Sequence, residues 1–100
     1  MKEVTVQELK KLKDSNANFQ LIDVREEHEF DEMNLNGLLI PLGDILDRAE
    51  EVAKDKQVII HCRSGKRSAT AIQALETQLG CTNLYNLKGG IVAYAEEIGL

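Results

Sequence analysis

The chain has 100 residues, of which 43% are hydrophobic but only 4% aromatic, with no Trp. That length implies one domain, residues 1–100, with an aliphatic core. A single Pro and seven Gly argue against a disordered or collagen-like chain, and a net charge of −5 argues against a nucleic-acid binder.

Short strands and helices alternate along the chain. Val4-Thr5-Val6 reads as a short strand. Thr5 and Glu8 have capping-box spacing, which opens a helix to about Lys13. Asp14-Ser15-Asn16 is a turn cluster. Phe19 to Ile22 reads as a strand ending at Asp23, and the charged stretch Glu26 to Glu32 as a short helix. Leu38-Leu39-Ile40 predicts a buried strand closed by Pro41. Ile45, Leu46, Ala49, Val52 and Ala53 recur at helical spacing. Gln57 to Ile60 is a strand. Ser68, Ala71, Ile72, Leu75 and Leu79 predict one helical stripe, stopped by Gly80. Asn83 to Leu87 predicts the last strand and Ile91 to Ile98 the last helix.

This order predicts an α/β fold in three layers. About five mainly parallel strands form a central sheet with helices on both faces. Continuous apolar runs such as Val58-Ile59-Ile60 suit a sheet covered on both sides. Ligands of such folds sit beyond the carboxyl ends of the strands, where Cys62 lies.

Two cysteines, Cys62 and Cys81, make no disulfide framework, and no Cys/His spacing reads as a zinc site. No metal or cofactor is expected. The N-terminus has no apolar stretch long enough for a signal peptide, and no run approaches the about 18 apolar residues that span a bilayer. The expected compartment is a reducing cytoplasm, with no membrane association.

The stretch "HCRSGKRSA", His61 to Ala69, carries the chemistry. Six residues, Cys62 to Arg67, are expected to connect strand and helix. A thiol there meets the unpaired N–H groups and positive dipole of the helix start, with Arg63, Lys66 and Arg67 alongside. Gly65 permits a positive φ, so that N–H groups converge on an anion. Alone, Cys62 would be a small buried hydrophobe. Three cations within five residues have no packing purpose beside a strand-end thiol, so a reactive thiolate is expected, with room beside it for one more anionic atom or a small anion. Phosphoryl transfer and sulfur transfer both use such a cradle. Four residues separate Cys62 from Arg67, one fewer than in cysteine-dependent phosphatases. The smaller cradle suits an added sulfur.

Four segments in order, "LIDVREEHEF", "LNGLLIPL", "CRSGKRS" and "LKGGIVAY", resemble the rhodanese domain, specifically a stand-alone single-domain sulfurtransferase, over nearly the whole chain. Met33-Asn34-Leu35, Leu38 and Tyr94 depart from the usual family residues. The resemblance implies that Cys62 takes sulfur from a small anionic donor such as thiosulfate, becomes a persulfide, and passes the sulfur to a thiol or protein acceptor. The substrate-binding candidates are Arg63, Ser64, Gly65, Lys66, Arg67 and Ser68, with Ser68 also expected to cap the helix. Asp23 and Arg25 are expected to brace the loop. His61 reads as a packed core residue, His28 as solvated, Cys81 as packing, and Gly89-Gly90 as a tight turn. The alternatives are a protein-to-protein persulfide relay, a phosphatase or arsenate reductase, and a non-catalytic module of the same fold.

Overall fold

A computed structural model describes all 100 residues. Five strands, β1 (Glu3–Val4), β2 (Phe19–Asp23), β3 (Leu38–Leu39), β4 (Gln57–His61) and β5 (Leu84–Leu87), form one sheet in the order β1-β5-β4-β2-β3. Every pairing is parallel. The helices are α1 (Val6–Asp14), α2 (Glu27–Glu32), α3 (Lys66–Leu79) and α4 (Gly90–Glu97).

Side chains alternate across β4, and that alternation builds two cores. Val58, Ile60 and Cys62 join Ala71, Ile72 and Leu75 of α3 on one face. Ile59 joins Leu9, Leu87, Ile91 and Tyr94 on the other, under α1 and α4. Central β4 is buried from Val58 to His61, as a sheet covered on both faces requires.

The capping box forms as expected. Glu8 N–H donates to Thr5 Oγ1 at 3.1 Å, and Thr5 N–H to Glu8 Oε1 at 3.0 Å. It also displaces an expectation: β1 stops at Val4, because Thr5 becomes the cap and Val6 is already helical. The expected buried strand at Leu38-Leu39-Ile40 is a two-residue edge strand with Leu38 37% exposed; only Ile40 is buried. Pairing with β2 alone leaves its outer side uncovered.

The apolar spacing from Ile45 to Ala53 does not make an α-helix. One 3-10 turn, Leu42–Asp44, precedes it and a second, Ala49–Glu51, lies within it. Both ends of the stretch from Leu42 to Ala53 are tied to β2 and the residue after it. Leu42 N–H donates to Val24 O at 3.0 Å, and the Gln20 side chain bonds both Glu51 O and Ala53 N–H at 2.7 Å. A 3-10 turn rises about 2.0 Å per residue against about 1.5 Å in an α-helix, so it covers a fixed gap with fewer residues. Ile45 and Val52 still reach the core, while Leu46 is left exposed. The α3 stripe is buried from Ser68 to Leu75, but Leu79 lies in the last turn and is 54% exposed.

Candidate active site

The end of β4 positions the thiol. Alternation turns Cys62 toward α3 and His61 toward the opposite face, so adjacent residues have unrelated surroundings. The connection is shorter than expected. α3 begins at Lys66, so Lys66 and Arg67 belong to its first turn, and Gly65 at φ 113° is its N-terminal cap. That φ favours glycine, and it turns the chain so that Gly65 N–H donates to Cys62 Sγ at 3.1 Å. Ser68 is the third helical residue rather than the cap. Its hydroxyl lies 3.4 Å from the same sulfur.

Burial pushes the Cys62 thiol up. The main-chain N–H groups of Ser68, Gly65 and Ser64 act in the opposite direction, and the thiol lies below its ordinary value. The room expected beside the sulfur is not a standing cavity. Cys62 is 1% exposed and lines neither surface depression of the protein. Of the residues that follow it, Arg63, Ser64 and Lys66 are exposed.

The three cations separate. Arg63 and Lys66 face solvent, whereas Arg67 turns to α2. Its Nη1 and Nη2 donate to Glu29 Oε1 at 2.6 Å and Oε2 at 2.9 Å. This pairing holds the Glu29 carboxyl down at about 2. The Arg67 guanidinium is thus committed to a carboxylate and joins α2 to the thiol loop.

Asp23 and Arg25 form a buried pair at the end of β2. Arg25 Nε and Nη2 donate to the Asp23 carboxylate at 2.8–3.1 Å, and Nη2 also reaches Met33 O at 2.7 Å. Asp23 Oδ2 lies 3.6 Å from His61 Nε2, and Val24 N–H donates to His61 O at 3.0 Å. The pair therefore sits against the residue before Cys62 and away from solvent. His61 is fully buried, and that burial lowers its pKa despite the attraction of Asp23, so the ring is neutral at pH 7.

Gly89 and Gly90 turn the chain into α4 at φ 79° and 63°. Ile91 N–H then donates to Cys62 O at 3.0 Å and Val92 N–H to Arg63 O at 3.1 Å. Gly90 passes so close to the thiol loop that an added Cβ would lie 2.3 Å from Arg63 O. Cys81 is partly buried against the α3-side core, and His28 is exposed.

Asn86 was not anticipated. It shares the α3-facing side of β5 with Leu84. Its Oδ1 accepts from the Ser68 hydroxyl at 2.6 Å, and its Nδ2 donates to Gly65 O at 3.1 Å. A polar residue at the same parity as Leu84 in "LYNL" was the available signal. Glu29 had none, lying 38 positions from Arg67.

A thiol below its ordinary pKa, among main-chain donors at a helix start, has surroundings that favour the thiolate form. The rhodanese-like domain family model matches residues 5–97. YqhL of Bacillus subtilis, an uncharacterized protein, is 42% identical over 80 residues, covering 79% of this chain and 63% of that protein. The putative sulfurtransferase YtwF of the same organism is 36% identical over 98 residues, covering 97% and 93%. A rhodanese-like domain protein from Staphylococcus aureus superposes with a TM-score of 0.85 at 31% identity, covering 98% and 95%. Other curated relatives are longer, this chain spanning 25% of one and 48% of another.

Proposed function

The chain belongs to the rhodanese-like domain family, and from that premise we propose that it is a sulfurtransferase working through Cys62. Relatives named as sulfurtransferases support sulfur transfer in general. The observation that carries the finer reading is the Cys62 sulfur held by Gly65 N–H at 3.1 Å with its pKa lowered despite burial. The thiolate attacks the outer sulfur of a donor such as thiosulfate. A new S–S bond forms at Cys62, the donor's S–S bond breaks, and sulfite leaves with that electron pair. An acceptor thiol or protein then takes the outer sulfur, and the Cys62 thiolate is restored.

The N–H groups of Ser64, Gly65 and Ser68 hold the charge of thiolate and persulfide in turn. Arg63 and Lys66, exposed beside the sulfur, draw the anionic donor. Arg67 and the Asp23–Arg25 pair brace the loop. Since Cys62 is 1% exposed, the site must open for the donor to enter. That closed state also favours a second reading, a relay in which a protein partner opens the loop and hands over sulfur directly. A reducing cytoplasm suits either reading.

Mass spectrometry after thiosulfate treatment is the test. A gain of about 32 Da, one sulfur atom, is expected on the Cys62 peptide. Thiocyanate should form when cyanide is added, and Cys62→Ala should abolish it. Sulfur gained from a desulfurase but not from thiosulfate selects the relay. A Cys62 that gains sulfur from neither source, or resists alkylation at every pH, overturns both.

A further inference from the structure

The Ser68 hydroxyl has one hydrogen and two neighbours, Asn86 Oδ1 at 2.6 Å and Cys62 Sγ at 3.4 Å. The Asn86 amide is oriented independently of them. Gly65 O, 3.1 Å away, only accepts, so the NH2 group faces Gly65 and the amide oxygen faces Ser68. The second N–H of that group points toward Met1 Sδ at 3.9 Å. Two acceptors do not sit 2.6 Å apart without a hydrogen between them, so the Ser68 hydrogen lies on the line to Asn86. The thiol then donates to Ser68 Oγ, giving a chain S–H to O–H to O=C. To donate to a thiolate instead, Ser68 would have to leave its own oxygen facing Asn86 Oδ1 with nothing between them. Both residues are buried, Ser68 completely and Asn86 to 6% exposure, where such a lost bond is costly.

We propose that Asn86 is a positioning residue for the Cys62 sulfur: by claiming the Ser68 hydrogen, it makes Ser68 an acceptor toward the thiol and withholds that hydroxyl from the thiolate. This rests on Cys62 being the reacting sulfur, as proposed above. The main-chain N–H groups are fixed donors, and the hydroxyl is the one polar group at the sulfur that can turn. Its restraint has a chemical use, because a thiolate stabilised too far is a weaker nucleophile. No charged side chain hydrogen-bonds the sulfur, whose partners are Gly65 N–H and the Ser68 hydroxyl. Arg63 and Lys66 face solvent, Arg67 is paired with Glu29, and His61 is on the opposite face of the sheet with a neutral ring.

Far-ultraviolet thiolate absorbance, titrated against pH in a Cys81→Ser background with Cys62→Ala as blank, reads this directly. It needs no sulfur donor. A Cys62 that titrates as described but gains no sulfur would sink the functional proposal and leave the role of Asn86 standing. Asn86→Leu frees the hydroxyl to turn to sulfur and is expected to lower the Cys62 inflection by about one pH unit, a tenfold change in ionisation. Adding Ser68→Ala should bring the inflection back up. Gly65 O keeps the Ala69 N–H at 3.1 Å, so the helix start survives loss of the amide. Ser68→Ala alone, a small change that leaves Asn86 in place, should leave the inflection unchanged or lower it. If Asn86 only supports the loop, its removal moves the inflection up toward the ordinary thiol value. That result, no shift at all with Asn86→Leu, or a rise with Ser68→Ala, overturns the proposal.

Discussion

Gly90→Ala tests how closely the last helix is built onto the thiol loop. The new Cβ would lie 2.3 Å from Arg63 O, 2.6 Å from Arg63 C and 2.8 Å from Cys62 O, where ordinary contact begins at 3.4 Å. All three atoms are main chain, so no rotamer change relieves the clash. The loop and the start of α4 must part by about an ångström. That motion strains the bonds from Ile91 N–H to Cys62 O and Val92 N–H to Arg63 O. Overpacking of this kind costs about 1–3 kcal/mol, and a positive φ adds about 1 kcal/mol for alanine. Weakening of the two bonds brings the sum to about 4 kcal/mol, a large share of the stability of a small domain. Gly80→Ala is the control. Gly80 has a similar φ of 68° but nothing within 4 Å of its added Cβ, so only the φ strain of about 1 kcal/mol applies. With a urea slope of about 1.5 kcal/mol/M, Gly90→Ala should lower the unfolding midpoint by more than about 2 M and Gly80→Ala by less than about 1 M. Gly90→Ala should also slow alkylation of Cys62 or shift its pH dependence, since the donor ring moves. Equal midpoint shifts for the two variants would refute the steric argument.

Glu29→Gln should cost about 1 kcal/mol, since the pair with Arg67 is partly solvated and screening limits its worth. The Glu29 carboxyl is held at about 2 against an ordinary 4.5, so its contribution is present above 4.5 and lost as pH falls toward 2. The variant should therefore flatten that part of the acid-unfolding curve, and an unchanged curve would count against the pair. His61 is shifted down by burial, so the folded state binds fewer protons than the unfolded chain. Its contribution is whole above 6.5 and lost as pH falls below that value. NMR titration should find the His61 ring still uncharged as pH falls through 6.5; a ring that gains its proton at or above that value would refute this. Arg25→Met leaves the Asp23 carboxylate buried without its partner and should cost about 3–5 kcal/mol in urea unfolding. Adding Asp23→Asn should recover part of that loss. A double variant no more stable than the single one would show that packing, and not charge, dominates there.

Local pattern was enough wherever one element explains itself. The Thr5/Glu8 box, the apolar run of β4 and the Ser68-to-Leu75 stripe all formed as their residues implied. The order of strands and helices was legible too, because alternation of the two leaves a parallel sheet as the usual way to bury both. The thiol loop could be located for the same reason: Cys62, Gly65 and the start of α3 are neighbours in the chain, and their chemistry is set by local geometry.

What failed or was missed depended on residues far apart in the chain. The spacing of Ile45 to Ala53 fits an α-helix, but ties to β2 held a 3-10 turn there instead. Leu38 looked buried, and only its place at the sheet edge exposes it. Arg67 had no visible partner until α2 brought Glu29 beside it, and Asn86 stood in a strand 18 positions from Ser68. Sequence by itself determined that a thiol, a glycine and a helix start lie together, because they are neighbours in the chain. Tertiary structure decided how that thiol is covered, braced and hydrogen-bonded, because packing alone brings the distant partners within reach.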